Sequence, residues 1–390
     1  MGFGAIVTSG EDYLPLPDDL TRWIVEARVE MELSRASRFA VRFEDDVCDG
    51  EFAIARRPQL QPNQRIGIFV AVAGEPVPQC LCVGPITRIR TSAMVGGTGS
   101  WLEVHGEDRR VEMGRVGIQD SWIGRASDAA RSVLSAYDFE AEVDETRIVY
   151  ADEQHALNQR GTDLAFIDDI ARKNNLEFWL TYNTVATPRG PTVAAITAHL
   201  QASPSRPAAG PPRPPVLTAD EGLVIDVMPP PGSCVSVTRF DVRIDTERPS
   251  AARGFARAMD SGEATTTEST APDAPLSPDA ATIELLPRPS RRSLASSELA
   301  PTVTDPVEQA LAAEAQLTEA AWFVEVDCST TMRSIGSLVL PHRIVDVRHA
   351  GPRLSGPYQV KSATHVINAT DHLIDFKLRA NGLAAGSLTP

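Results

Sequence analysis

Four of the seven histidines, His342, His349, His365 and His372, crowd the C-terminal part of the sequence. Imidazole is the commonest protein metal ligand, so such a group invites a metal site. On successive strands, however, they need not share a face, and satisfied or exposed strand histidines are the expected outcome. Asp168 and Asp169 have the look of an acid–base pair. Consecutive residues on a helix point about 100° apart and do not face one substrate. The run GGTGS (96–100) lacks the lysine and the helix start that a phosphate loop needs. The acidic run EDDVCDGE (44–51) puts Val47 where a calcium loop requires an oxygen ligand. Cys80 and Cys82 are two apart and should share a strand face, with no second Cys/His pair nearby to complete a zinc site. Nucleophile-elbow, zinc-protease and cysteine–histidine signatures are missing. No catalytic residue, metal or cofactor is expected.

The chain has 390 residues and a mass of 42.0 kDa, enough for two or three domains. Its 37 basic and 52 acidic side chains leave a net charge of −15. That balance argues against sequence-independent nucleic-acid binding and against docking on anionic lipid. Five scattered cysteines suit a reducing compartment better than a disulfide scaffold. The N-terminus carries neither a secretion signal nor the serine or threonine that myristoylation requires, and no apolar run reaches the roughly 20 residues of a membrane span. Synthesis and folding in the cytoplasm are expected.

Beneath these side chains the pattern is mostly of period two. Trp23, Val25, Ala27 and Val29, then Phe39, Val41 and Phe43, alternate with polar residues, the mark of strands with one buried face. Further strands are expected at 52–56, 65–73, 79–91 and 100–105, with Asp49-Gly50 as a tight turn. Near residue 121 the period changes. Ser127-Asp128 should cap a helix to about Tyr137, a short strand follows near 146–150, and a second helix begins near Thr162 with Leu164, Ile167, Ile170 and Ala171 buried. A strand at 176–182 completes a compact α/β module. Residues 201–215 read as a stiff Pro-rich linker. Strands resume at 223–228 and 234–244, and the Ser/Thr/Ala/Pro-rich stretch 261–304 reads as a long surface loop. Pro306 opens a helix to about Ala321, and strands at 322–326, 342–347, 358–366 and 372–378 close the chain. Two β units on one chain hint at an internal duplication that no sequence alignment reveals.

Three segments carry a family resemblance. In CVGPITRIRT (82–91) and LEVHGEDRRVEMGR (102–115), the residues Gly84, Ile86, Ile89, Val104, Gly106 and Asp108 match a Gly-x-Ile…Val-x-Gly-x-Asp pattern. Residues 131–180 look like a helix–strand–helix insert. In 342–380, Leu354, Ser355, Gly356, Tyr358, Val360 and His365 match a closing Gly-x-Tyr-x-Val stretch. Together they resemble late control protein D of contractile phage tails and the related VgrG-type hubs of contractile injection systems.

The resemblance implies an α+β, mainly β fold: two related tube-like β-barrels with a small α/β insert. It implies a first hub barrel at 1–118, the insert at 119–200, the linker at 201–215, a second barrel at 216–382 containing the 261–304 loop, and a tail at 383–390. The implied function is a non-enzymatic baseplate hub, a homotrimer that adapts a hexameric inner tube to a trimeric spike within a tail-like particle. Implied partners are further copies of itself, the inner tube protein, other baseplate components and a spike protein expected to be a separate chain. The matched residues would be structural: Gly84 and Gly106 at bends or bulges, Asp108 on backbone amides, Tyr358 and His365 closing the barrel with hydrogen-bonded tips. An acidic channel wall would repel nucleic acid and acidic peptides. A peptidoglycan- or carbohydrate-binding module and a tail-associated hydrolase are the alternatives.

Overall fold

The computed structural model describes residues 4–45, 52–94, 99–151, 156–203, 223–257, 264–270, 276, 280–281, 296–298 and 306–384. The fold is mainly β, and the alternating sequences become pleated strands with one apolar face. The first β unit comprises, in chain order, Ala5–Ser9, Ile24–Glu32, Arg38–Glu44, Arg65–Val70, Gln79–Ser92 and Trp101–Glu107. The second comprises Val224–Asp226, Arg239–Ile244, Val324–Thr331, Ile344–Arg348, Gly356–Asn368 and His372–Ala380.

Numbered within its unit, each set pairs in the same spatial order, one-four-five-six-three-two. Only the first strand differs, antiparallel to its neighbour in the first unit and parallel in the second. The duplication that the sequence conceals is therefore explicit in the pairing. The units are joined edge to edge, because Ile24–Glu32 pairs with Ser362–Asn368, so one 13-stranded sheet runs through both. A single apolar core follows it, from Ile66, Ile68 and Phe43 to Phe323, Val360 and Leu378.

Bulges decide several details that alternation alone predicts wrongly. One between Ile24 and Glu26 reverses the phase, leaving Trp23 and Val25 38% and 36% exposed and burying Ile24 instead. Another makes Leu81 the extra residue opposite Ile68 and Phe69, so Cys80 and Cys82 do not share a face. Cys82 joins the main core while Cys80 packs beside Tyr13 and Phe69. Residues 52–56 form no strand. Pro58 and the short apolar run favour two 3₁₀ turns, Ile54–Arg56 and Pro58–Leu60, which plug the core with Ile54 and Leu60.

Between the units lies a three-stranded sheet, Glu140–Val143, Gly190–Ala202 and Leu176–Thr187, covered by helices Ala126–Ser135 and Asp163–Lys173. Thr162 caps the second helix through the Ala165 amide. The first helix begins one residue early, so Ser127 lies inside it and its amide takes the Thr146 hydroxyl as cap. The strand expected at 146–150 shrinks to Val149–Tyr150. Residues 204–215 of the expected linker lie outside the described residues, as do Asp49 and Gly50. Within the expected 261–304 loop the β-branched run contributes a strand, Ala264–Thr270, paired with Ala251–Arg257. Helix Pro306–Ala320 packs on that hairpin through Ala313 and Leu317.

Strand five of each unit pairs with strand four over its first half and strand six over its second, switching at a bulge: Ile86/Arg88 in one, Val360/Ser362 in the other. At the first switch the backbones nearly touch. A Cβ on Gly84 would lie 1.8 Å from the Glu107 carbonyl oxygen, and one on Gly106 would lie 2.1 Å from the Phe39 ring. Only glycine fits either place. Gly84→Ala should therefore destabilise by about 3 kcal/mol or more, or prevent folding. Gly117→Ala, in an exposed strand with nothing within 4 Å of the new Cβ, should stay within about 0.5 kcal/mol. Urea denaturation of both variants checks the contrast.

Candidate functional site: the polar junction beneath the insert

Two buried ion pairs lock the insert to both β units, and one insert strand serves both. Asp108 ends strand six of the first unit. Its carboxylate accepts from the Ser37 amide (2.7 Å), the Arg110 amide (3.0 Å) and the Arg110 guanidinium (2.7 Å). Arg110 is 3% exposed. Its remaining donors reach the Arg35 carbonyl, in the turn between strands two and three, and the Phe178 carbonyl (2.8 Å) on the insert strand Leu176–Thr187. Five fixed N–H donors are what allow one side chain to bridge three segments.

One residue earlier on the same strand, Glu177 faces the second unit. It accepts from His342 Nδ1 (2.8 Å), Gln359 Nε2 (3.3 Å), the Arg379 guanidinium (2.5 Å) and the Ser203 hydroxyl. Arg379 also donates to Gln359 Oε1 (2.7 Å) and to Glu319 (3.0 Å) at the end of the Pro306–Ala320 helix, and lies 4.4 Å over the Trp322 ring. Two residues on, Trp179 is stacked between His342 and His199, with ring centroids 4.0 and 4.9 Å away. His199 in turn contacts Thr181 Oγ1 at 2.7 Å and Glu142 at 3.0 Å. A cleft of about 810 Å³ reaches Glu177 and Arg379 from solvent, and its wall carries both signs of charge: Lys361, Arg172, Glu308 and Glu319.

Burial alone would raise the Glu177 carboxyl. The His342 hydrogen bond, the Arg379 charge and the Ser203 hydroxyl outweigh it and hold the group down at about 2. Burial lowers His342, with Arg110 and Arg379 adding to the effect against the pull of Glu177. The charged groups of the junction thus pair with one another and tie the insert strand to both units, while the Trp179 indole N–H is buried without a partner among the described residues.

The residues that sequence singled out are scattered. Asp168 and Asp169 do diverge: burial raises Asp168, with Arg110 opposing, while Asp169 pairs with Arg172 and Lys173 at the surface. His342 enters the junction and His349 pairs with Asp226 at 2.8 Å. His365 and His372 meet at 2.9 Å between neighbouring strands. The Val339 carbonyl can only accept, so His365 Nε2–H donates to it (2.9 Å) and Nδ1 accepts from His372. Among the described residues no three His, Cys, Asp or Glu side chains group to hold a metal. Most of the runs 44–51 and 96–100 lies outside the described residues.

Ile86, Val104 and Val360 are core residues, and Tyr358 donates to the Leu354 carbonyl at 2.8 Å. Gly356 opens strand five of the second unit with φ 140°, and Gly84 and Gly106 occupy the partner switch. Glu177 and Arg379 escaped the reading of the sequence. Their one signal is a charged residue at a core-facing place in an apolar run, LEFWL and FKLRA.

No family model matches the sequence, and no curated protein matches it. Solved structures do. A tail protein from Neisseria meningitidis MC58 aligns with a TM-score of 0.60 at 15% identity, over 97% of both chains. The chain has the fold of a phage tail protein. The 43 kDa tail protein of prophage MuSo2 from Shewanella oneidensis aligns with a TM-score of 0.59 at 11% identity, over 96% of this chain and 97% of that one. A component of the Escherichia coli type VI secretion system, itself similar to the T4 tail proteins gp27 and gp5, aligns at 0.50 and 11% identity, over 94% of this chain and 77% of that one. No helix among the described residues is long and apolar enough to cross a membrane.

Two outcomes follow, one for the junction and one for the buried histidines. Asp108→Asn leaves the buried Arg110 charge unpaired and should cost about 3–5 kcal/mol, read by urea denaturation. The second concerns acid. Burial lowers His365 to about 3, with His372 adding to it, and lowers His372 to about 4, whereas the unfolded chain binds these protons near 6.5. Their contribution is complete above pH 6.5 and is lost as pH falls toward those values, by at most about 1.4 kcal/mol per pH unit for each histidine. Glu177 adds a loss between 4.5 and about 2. The melting temperature should fall steadily from pH 7 to pH 4. His365→Asn should start lower at pH 7 and show the shallower fall.

Proposed function

We propose that this chain is a structural baseplate hub of a contractile phage tail or injection system: a homotrimeric ring that adapts a hexameric inner tube to a trimeric spike. The observation that carries the proposal is the repeated one-four-five-six-three-two strand order. Closed assemblies need matching symmetry on the two sides of an interface. Three chains with two equivalent units each present six similar positions to a tube while keeping a true threefold axis for a spike. The end-to-end likeness to tail proteins supports the reading, as does a buried polar junction spent on cohesion. The partners are then further copies of the chain, the tube protein, the spike protein and other baseplate components, and the work is mechanical rather than catalytic. Light scattering on the purified chain, alone and with its spike partner, is the test. The expected mass is that of three copies of the 42.0 kDa chain. A strictly monomeric chain in the presence of the spike partner would overturn the proposal.

A further inference from the structure

The ladder that joins the two units has an unused twin. Inside the chain, strand two of the first unit meets the second half of strand five of the second unit, Ser362 opposite Glu32 and Ala363 opposite Met31. The repeated topology gives every residue of that ladder a counterpart. The strand-five bulges align Arg88 with Ser362 and Ile89 with Ala363. Through strand six, Gly106 corresponds to Leu378. Through strand three, Phe39 corresponds to Val326, and through strand two, Val29 corresponds to Val242. The counterpart of Ser362–Asn368 is therefore 88–94, and that of Glu26–Glu32 is 239–245. Among the described residues, neither counterpart has a strand on its outer edge.

We infer that these two edges pair with each other between copies: Arg239–Ile244 of one chain adds antiparallel to the strand-five edge at 88–94 of the next, with Ile89 opposite Ile244 and Arg88 opposite Asp245. The occupant is a second copy because this surface continues an interface already made within the chain. The register comes from backbone topology alone, yet the side chains agree with it. Ile89, Thr91 and Ala93 fall opposite Ile244, Val242 and Phe240 on one face. Arg88, Arg90 and Ser92 fall opposite Asp245, Arg243 and Asp241 on the other. A slip of one residue would set charged against apolar side chains, Arg88 against Ile244 and Ile89 against Arg243 one way, Ile89 against Asp245 and Arg90 against Ile244 the other. Arg88 faces a carboxylate, and Arg90, although opposite Arg243, is flanked diagonally by Asp241 and Asp245. In the single chain Ile244 is 44% exposed and Met94 56%, apolar surface that the pairing would cover. Because the two edges differ, the contact is head-to-tail. It cannot form a twofold dimer and must close a ring or run on as a filament. That the ring closes at three copies rests on the hub reading.

The test uses the full chain with Cys48→Ser and Cys234→Ser. Ile89→Cys combined with Ile244→Cys should oxidise to covalent dimers and trimers on a non-reducing gel. Each single variant alone should not, and Arg90→Cys with Ile244→Cys, on opposite faces, should not. In parallel, Arg88→Asp should weaken self-association at least about tenfold, and adding Asp245→Arg should restore it. If the cysteine variants fail to fold, this charge exchange decides alone. Trimers that neither cross-link at 89–244 nor respond to Arg88→Asp would overturn the edge pairing and leave the hub reading standing. A native chain that stays monomeric with its spike partner would overturn both.

Discussion

The ladder between Ile24–Glu32 and Ser362–Asn368 is what makes one body of two barrels. An unpaired strand edge exposes a row of backbone donors and acceptors that must find water or another strand. By pairing these two edges the chain satisfies both rows and fuses two small cores into one, so that Ala27 and Val29 pack in the same cluster as Ile367 and Ala363. Strand five can serve both its own unit and its neighbour only because a bulge releases it from strand four halfway along. The close approach at Gly84 and Gly106 is the steric consequence of the same switch in the other unit.

The insert is held by a different kind of force. Its own core of Leu134, Phe166, Ile167 and Phe178 is separate from the main one, and its apolar link to the first unit is the small cluster of Tyr13, Phe69, Cys80 and Val83, against which Tyr182 and Val193 pack. Arg110 and Glu177 hold it from adjacent positions beneath one strand. Buried ion pairs contribute little net stability, because desolvation cancels most of the Coulomb gain, but a misplaced partner leaves an uncompensated charge. The junction therefore penalises wrong poses more than it rewards the right one. The hairpin tip adds a third point of attachment, where Thr192 donates to the Asp12 carbonyl and Gly190 sits against Pro15.

Much of the fold was legible in the sequence because it rests on period and punctuation. Both insert helices, the 306–320 helix and the strands after it were readable from apolar spacing, caps and Pro306. What stayed hidden is non-local. The bulges at Ile24 and Leu81 are set by what the opposite strand requires, and they inverted the expected burial of Trp23 and Val25 and the shared face of Cys80 and Cys82. The strand order, and with it the duplication, is invisible because the units share alternation more than residue identity: Ile86 corresponds to Val360 and Gly106 to Leu378, and Val29 and Val242 are a rare identical pair. The polar junction is hidden for a related reason. Glu177 and Arg379 lie 202 residues apart, and each alone looks like an ordinary charged residue in a strand.

The place where the units differ most bears on how the proposed ring would keep threefold character. In the first unit strands two and three are joined by the short turn between Glu32 and Arg38. In the second the same connection runs from Ile244 to Val324 and contains a hairpin and the Pro306–Ala320 helix. That helix presents Glu319 to Arg379, and Glu308 and Glu314 to Tyr150 and Arg147 of the insert. The strand order repeats in both units, while the helix and the insert occur once per chain. In the proposed ring every second barrel would carry them. There the strand ladder would supply sixfold-like continuity and the elements carried by one unit would reduce it to threefold, so the two symmetries would reside in different parts of one chain and need not compete for the same residues.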